Sequence, residues 1–557
     1  NLSTEQLVGL NGTIFKDGCL AGIFWEAGAA LAMVITATVF LPRYMHLGLT
    51  TTSAFLGERY DLLTRTLVSC VFLVYYAVVL CPLVLYTGAL AIRKIFELDV
   101  VPLWVVSLVI GLLGACYALA GGLKAVAVSD CLNGVGLIIV GLWVPFAALQ
   151  KIGGVSALFQ EPSILLPLVS HSQVYDNDSH TRSWGVPTVP WHVTITGLTL
   201  TNLYYWSTNQ VIVQRVLAAE SLANGQKGVL FAAVMKVVGF TFLCIPGTVG
   251  MLMIENNVHI DGVPFTVSKS DEVYPELVKA VMPSWSLGVF AAVLIGSVLS
   301  TFNSALNSAS TIFGLEIYKI YINAQASEDK VVRVATIFGA GLTLASFIIA
   351  PQLSRVDSIF SFLQRMNTIV SLPIITIFFV GITASLPDAF AARTGFAVGV
   401  LACGLGQLAT KDIHYLHVFF IAFILAAAAM ALATWSPPLR RLFRVPERPT
   451  HYSPPEGFAM VQIVPWRPLY YMVAAVLGLI ILLLVTLQVG KAWLFYSFSA
   501  VWLVTLLVLM CLPSGPCEDP SGCRKETDNT AARARGAPAA LATEGKDGDA
   551  GCPQDAC

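Results

Sequence analysis

Apolar runs long enough to cross a lipid hydrocarbon core recur along the whole chain, each bounded by a short polar stretch. A core of about 30 Å needs about 20 predominantly apolar residues at a rise of about 1.5 Å each. On that measure the pattern predicts thirteen spanning helices, at residues 19–41, 63–92, 101–120, 125–149, 189–214, 228–254, 286–318, 332–350, 359–384, 394–410, 415–435, 469–489 and 493–512. Residues 1–13 are shorter and more polar, and the chain starts at Asn1, so the expectation is a fragment that begins inside a helix. The expectation is also that no cleavable signal precedes the first span and that the spans themselves carry the membrane address.

Two stretches break the apolar pattern in a telling way. Unwound backbone survives at membrane depth only where it lines a cavity or is buried in protein. The run Asn1-Leu2-Ser3-Thr4-Glu5-Gln6-Leu7-Val8-Gly9-Leu10-Asn11-Gly12 is polar and glycine-bearing, and Gly296 to Ser310 packs hydroxyls and amides into an apolar span. Two such segments several helices apart are what an inverted repeat of two five-helix halves produces, although helix count alone fits other transporter folds.

Basic residues orient the chain, because short cytoplasmic loops are enriched in Lys and Arg. Arg43, Arg59, Arg65, Lys124, Arg215, Lys227, Lys319, Lys330, Arg333, Arg393 and the cluster Arg440, Arg441, Arg444 and Arg448 fall on one face. The loop from 151 to 188 falls on the other and carries Asn177-Asp178-Ser179, a glycosylation sequon usable only outside the cytosol. The stretch from 513, rich in Gly, Ala, Asp and Lys, reads as a disordered cytoplasmic tail.

Composition sharpens this. Of 557 residues 56% are hydrophobic and only 12% charged, about half the usual charge, which excludes a soluble enzyme. Lys plus Arg number 32 against 33 Asp plus Glu, so the basic field that binds a phosphate backbone is missing and nucleic acid is a poor candidate partner. The 12 Cys are scattered singly through apolar segments or gathered in the tail, without zinc-like pairs.

Some polar residues stand where the apolar pattern makes them costly. Asn202, Tyr205, Trp206 and Asn209 fall at i, i+3, i+4 and i+7, one helical face, which packing or an interfacial belt would also explain. Lys236 lies about eight residues inside a span, where a charge marks a function or snorkels to the surface. Glu26, Gln6 and Gln364 are embedded too, and Glu26 has a structural pairing with Lys236 open to it. Ser297, Ser300, Thr301 and Ser304 share a helical face, a pattern that bonding back to the helix also explains.

These residues resemble the solute:sodium symporter family, specifically its sodium/glucose (galactose) cotransporter branch. The resemblance runs almost throughout and is carried by five ordered motifs. They are Asn1-Leu2-Ser3-Thr4-Glu5-Gln6-Leu7-Val8-Gly9; Tyr117-Ala118-Leu119-Ala120-Gly121-Gly122-Leu123-Lys124-Ala125 with Ser129-Asp130; Asn202-Leu203-Tyr204-Tyr205-Trp206-Ser207-Thr208-Asn209-Gln210 on to Gln214-Arg215; Gln226-Lys227-Gly228 through Lys236; and the run from Ser300 to Tyr318. The resemblance implies an all-α polytopic membrane protein with the LeuT-type fold, five plus five inverted helices and extra C-terminal helices. On this reading 1–384 is the transporter core, lacking the family's leading helix and part of its first broken one, 385–512 adds further helices, and 513–557 is the tail.

The resemblance also implies roles. Gln6, Glu26, Asn202, Lys236 and Gln364 match side chains that contact sugar hydroxyls, and Tyr205 matches the aromatic that stacks on the pyranose. Leu10, Phe24 and Phe360 match the residues that close the site toward the outside. The hydroxyls of Ser300 and Thr301 with the carbonyls of Leu2 and Ser297 match the sodium site, whose remaining carbonyl belongs to the position before Asn1. Asp130 matches a residue of a second sodium site found in some members, but Asn303 replaces its hydroxyl partner, which favours one sodium per sugar. An ungapped match puts Trp25 where the sugar-binding glutamate belongs, and Glu26 is preferred because an embedded carboxylate is rare. Leu80 stands where the bacterial galactose carrier has an amide, and Gln6 where many animal glucose carriers have His, so the identity of the sugar stays open.

The expected function is sodium-coupled symport of a monosaccharide or related polyol across the plasma membrane by alternating access, with Na+, sugar and the lipid bilayer as partners and no covalent chemistry. Alternatives are symport of inositol, a carboxylate, choline or proline, and a sugar sensor that depolarises the membrane without accumulation.

Overall fold

Helix α1 (Thr4–Asp17) ends at Gly18, whose φ of +63° turns the chain back. A Cβ there would meet the Gln173 carbonyl oxygen at 2.5 Å, so glycine is required by both conformation and space. The structure is a computed structural model that describes residues 4–98, 100–355, 359–410, 413–436 and 467–511. Leu2, the basic cluster from Arg440 to Arg448 and the tail from 513 lie outside the described residues.

Two long helices follow, α2 (Leu20–His46) and α3 (Leu62–Ile95), each containing one widened π turn. These turns, at Thr36–Phe40 and Tyr76–Leu80, stand just ahead of Pro42 and Pro82. A proline removes a helical N–H and presses on the carbonyl four residues back, so the turn before it opens. Helix α4 (Leu103–Lys151) is two limbs joined at Gly122, where φ 58° and ψ −158° break the helical path.

An antiparallel hairpin, β1 (Ser172–Asp176) with β2 (Thr181–Gly185), lies in the loop assigned to the outside. It clamps the end of α1: Arg182 donates to the Phe15 carbonyl at 2.9 Å and to the Gln173 carbonyl at 2.8 Å. The segment predicted as one span at 189–214 is interrupted, with α5 (Thr199–Ser207) and α6 (Gln210–Leu217) separated by Thr208 and Asn209. Asn209 caps α6, its side-chain oxygen accepting from the Val211 N–H at 3.1 Å and the Tyr76 hydroxyl at 2.9 Å.

Then come α7 (Leu222–Glu255), α8 (Ser284–Ile322), α9 (Glu328–Leu353), α10 (Ile359–Thr383), α11 (Ala389–Ala409), α12 (Tyr415–Trp435), α13 (Arg467–Val489) and α14 (Ala492–Cys511). Helix α7 breaks at Cys244 (φ −125°), just before Pro246. Among the described residues, eleven helices are long and apolar enough to cross a membrane. The predicted span at 101–120 is helical as well, the first limb of α4 up to the Gly122 kink, whereas the one predicted at 189–214 is broken at Thr208.

Helix α2 packs against α5 and α7, and α8 runs along α4. Large apolar side chains such as Leu132, Ile348, Leu408 and Tyr471 are exposed on the outer helices. Such a surface would be a liability in water and suits contact with acyl chains.

Candidate substrate and sodium site

One cavity at the meeting point of α1, α2, α3, α5, α7 and α10 gathers the embedded polar residues. All six side chains matched to sugar contact line it: Gln6 from α1, Glu26 from α2, Asn202 and Tyr205 from α5, Lys236 from α7 and Gln364 from α10. Leu10 lines it too, as does Leu80. Phe24 is buried beside it without lining it, and the side chain of Phe360 lies outside the described residues.

Glu26 and Lys236 form the electrostatic centre. The Lys236 ammonium lies 2.9 Å from each carboxylate oxygen of Glu26, with the two side chains only 8% and 4% exposed. Each charge supplies the other's compensation at a depth where either alone is expensive. Lys236 Nζ also stands 5.5 Å from the ring centroid of Trp206. The two charges cancel, which leaves the cavity neutral while keeping strong donors and acceptors in it. Trp25 also lines the cavity, so the one-residue difference in frame places an indole and a carboxylate there together.

Room for the carboxylate comes from Gly239, one turn beyond Lys236 on α7. A Cβ at Gly239 would lie 2.8 Å from Glu26 Oε2. Gly239→Ala is therefore expected to cost about 1–3 kcal/mol through overpacking, read as a lower melting temperature in detergent. An unchanged melting temperature would show that the carboxylate has space to move.

On α5, Asn202 donates to the Leu198 carbonyl at 3.2 Å, and Gly28 of α2 lets the amide lie against that helix. Tyr205 packs edge-on against Trp206 with centroids 5.5 Å apart, which holds an aromatic wall upright. The periodicity that grouped Asn209 with these residues does not hold, because α5 ends at Ser207 and Asn209 turns to cap α6. Gln6 Oε1 is buried without a hydrogen-bond partner and stands ready as an acceptor.

Asn367 is the residue that sequence reading passed over. It lines the cavity from α10, is 5% exposed, and its side-chain oxygen has no partner. Its signal was present: an amide in an apolar run one turn after Gln364. Thr201 and Tyr75 line the cavity as well, though the Thr201 hydroxyl is spent on the Gly197 carbonyl at 2.9 Å.

Ser297, Ser300 and Thr301 are buried on one face of α8, and α1 packs against that helix. The Thr301 hydroxyl has no hydrogen-bond partner, unlike most hydroxyls here, which bond to the carbonyl four residues back. An unspent hydroxyl among neutral oxygens suits a hard monovalent cation. Among the described residues no group of three or more His, Cys, Asp or Glu is arranged to hold a metal. Asp130 receives Arg215 Nη2 at 2.5 Å, and the same guanidinium reaches the Ser304 hydroxyl. Asn303 is fully buried with both amide atoms unpartnered.

The family model described as sodium:solute symporter family matches residues 1–399. Uncharacterized symporter YidK of Escherichia coli is 36% identical over 478 residues, covering 84% of this chain and 78% of that protein. A sodium/glucose cotransporter of Vibrio parahaemolyticus is 29% identical, covering 69% of this chain and 70% of its own, and the mouse sodium/myo-inositol cotransporter 2 is 28% identical over 78% and 69%. A solved structure of a Na+-coupled sialic acid symporter, substrate-bound and outward-open, superposes with a TM-score of 0.65 at 19% identity, covering 78% of this chain and 87% of the other. The fold is thus the LeuT-like one, with sodium as the coupling ion. By the family match and these likenesses the chain belongs to the sodium:solute symporter family, a multi-pass membrane transporter and not an enzyme.

Proposed function

We propose that the chain imports a neutral monosaccharide or related polyol with sodium, by alternating access, at the plasma membrane. The observation that carries this reading is the convergence of Gln6, Glu26, Asn202, Tyr205, Lys236 and Gln364 from five helices on one cavity whose two charges cancel. A polyol needs many fixed donors and acceptors and an aromatic wall for its apolar ring face, and it needs no net charge. Residues 1–384 form the core that carries both sites. Ser297, Ser300 and Thr301, with the carbonyl of Leu2, hold one sodium. Leu10, Phe24 and Phe360 close the outer side.

Coupling requires that sodium and sugar bind one conformation better together than apart. One charge crossing 100 mV contributes about 2.3 kcal/mol, so a single sodium with its gradient concentrates sugar appreciably. The test is uptake of labelled galactose, glucose and myo-inositol into proteoliposomes under inward sodium, inward potassium and no gradient. Accumulation only with sodium, lost in Gln364→Ala, supports the reading. Sugar uptake indifferent to sodium would sink it, and sodium current without accumulation would favour a sensor.

The names of the relatives favour inositol as a second cargo, and Leu80 bears on the choice. Leu80→Asn restores one polar contact, worth about 0.5–1.5 kcal/mol net. The expected result is a galactose half-saturation concentration lower by about twofold to tenfold. A higher value would mean that Leu80 packs against an apolar substituent, as in a deoxy sugar.

A further inference from the structure

A second cavity, of about 300 Å³, opens between α4, α8 and α9 and shares no residue with the first. We infer that it binds the phosphate and glycerol region of an anionic phospholipid of the cytoplasmic leaflet. Its walls are partly apolar, from Ala118, Leu315, Val331 and Ala335, and one side carries Asn307, Ser310 and Thr311 of α8. Ser310 is 7% exposed and its hydroxyl has no hydrogen-bond partner. The hydroxyls of Ser304, Thr343 and Ser346, on the same two helices, all bond back to a carbonyl four residues earlier. A buried hydroxyl left over beside an amide, in a cavity, awaits an oxygen-rich partner.

Charge and depth identify that partner. Lys124, Lys319, Lys330 and Arg333 are exposed on the three elements that form the cavity and make no ion pair among the described residues. Of the acidic side chains on these elements, Asp130 and Glu316 are already held by Arg215 and Arg65, and Glu328 and Asp329 stand at the start of α9, which leaves an excess of positive charge on the face assigned to the cytoplasm. Val331 and Ala335 lie three and seven residues into α9, about 5–10 Å along its axis, the depth of the boundary between headgroups and acyl chains. Val332 at the rim is exposed, so the cavity meets the bilayer. Phosphate oxygens answer the basic rim, and glycerol and ester oxygens answer Ser310 and Asn307. A sterol offers one hydroxyl and no charge, and would leave the rim unanswered.

The test uses the full chain purified in detergent, with dioleoyl phosphatidylglycerol, phosphatidylcholine or cholesterol added, read by native mass spectrometry and by melting temperature. Phosphatidylglycerol is expected to give a retained adduct and a higher melting temperature. Ala335→Phe, which fills the cavity, should lose both, and Lys330→Gln with Arg333→Gln should weaken the adduct several-fold. Equal retention of phosphatidylcholine or cholesterol would overturn the inference, as would an undiminished adduct in monodisperse Ala335→Phe. Should that variant not yield monodisperse protein, the double charge variant decides alone, and an unchanged preference for phosphatidylglycerol rejects the site.

Discussion

Replacing Lys236 with methionine is expected to lower sodium-dependent uptake at least a hundredfold and to destabilise the protein by about 3–5 kcal/mol. The second figure is the usual cost of leaving one member of a buried ion pair uncompensated, here Glu26 at 4% exposure. The first follows from losing a charged donor at the centre of the cavity and turning its partner into an unpaired acceptor. Structure and binding separate in the double variant Glu26→Gln with Lys236→Met. Removing both charges should recover most of the stability, because the desolvation cost of the pair disappears with its attraction. Uptake should stay well below wild type, because the Lys236 ammonium donor is gone and a neutral amide in place of the Glu26 carboxylate is a weaker acceptor. The checks are melting temperature in detergent and initial uptake at saturating sodium. A double variant that transports at near wild-type rate would make the pair a structural strut and remove both residues from the binding site.

Most of the fold was legible because a membrane permits so few solutions. Backbone groups must be satisfied within each segment, so a run of apolar residues reads as a helix with little competition. What hydropathy does not carry is where a helix breaks. The interruption at Thr208 and Asn209 came from local chemistry, an asparagine that caps α6 while accepting from Tyr76, a residue far away in sequence. Periodicity extrapolates a helix through such a point, which is why it put Asn209 on the same face as Asn202 and Tyr205.

The site was legible to a different degree on each helix. Glu26 and Lys236 were conspicuous because isolated charges in apolar runs are costly, and their costs cancel in each other. Asn367 was not, since an uncharged amide in a membrane helix is common enough to pass as packing, and only its unpartnered oxygen in the cavity marks it. Gly239 is a harder case still. Its role depends on a carboxylate from another helix that no local pattern predicts.

The second large effect is expected on sodium rather than sugar. Thr301→Val keeps the shape of the side chain and removes a buried hydroxyl that has no hydrogen-bond partner within the protein. Losing one oxygen contact to a charged ion costs about 1.5–3 kcal/mol, so the sodium half-saturation concentration should rise by about tenfold to a hundredfold. Thr301→Ser keeps the hydroxyl and should stay within a few-fold of wild type. Linkage then sets the sugar response: at low sodium the sugar half-saturation rises with the lost coupling, and at saturating sodium it returns toward wild type. A binding-site defect would instead persist at every sodium concentration. The same titration bears on stoichiometry. Asp130 already holds the Arg215 guanidinium at 2.5 Å, and Arg215 also engages Ser304, so the position that the resemblance matches to a second sodium site carries a tethered cation here. Initial rates should follow sodium with a Hill coefficient near 1 in both wild type and Thr301→Ser. A coefficient near 2 that falls to 1 in Asp130→Asn would show a second sodium and reverse that assignment.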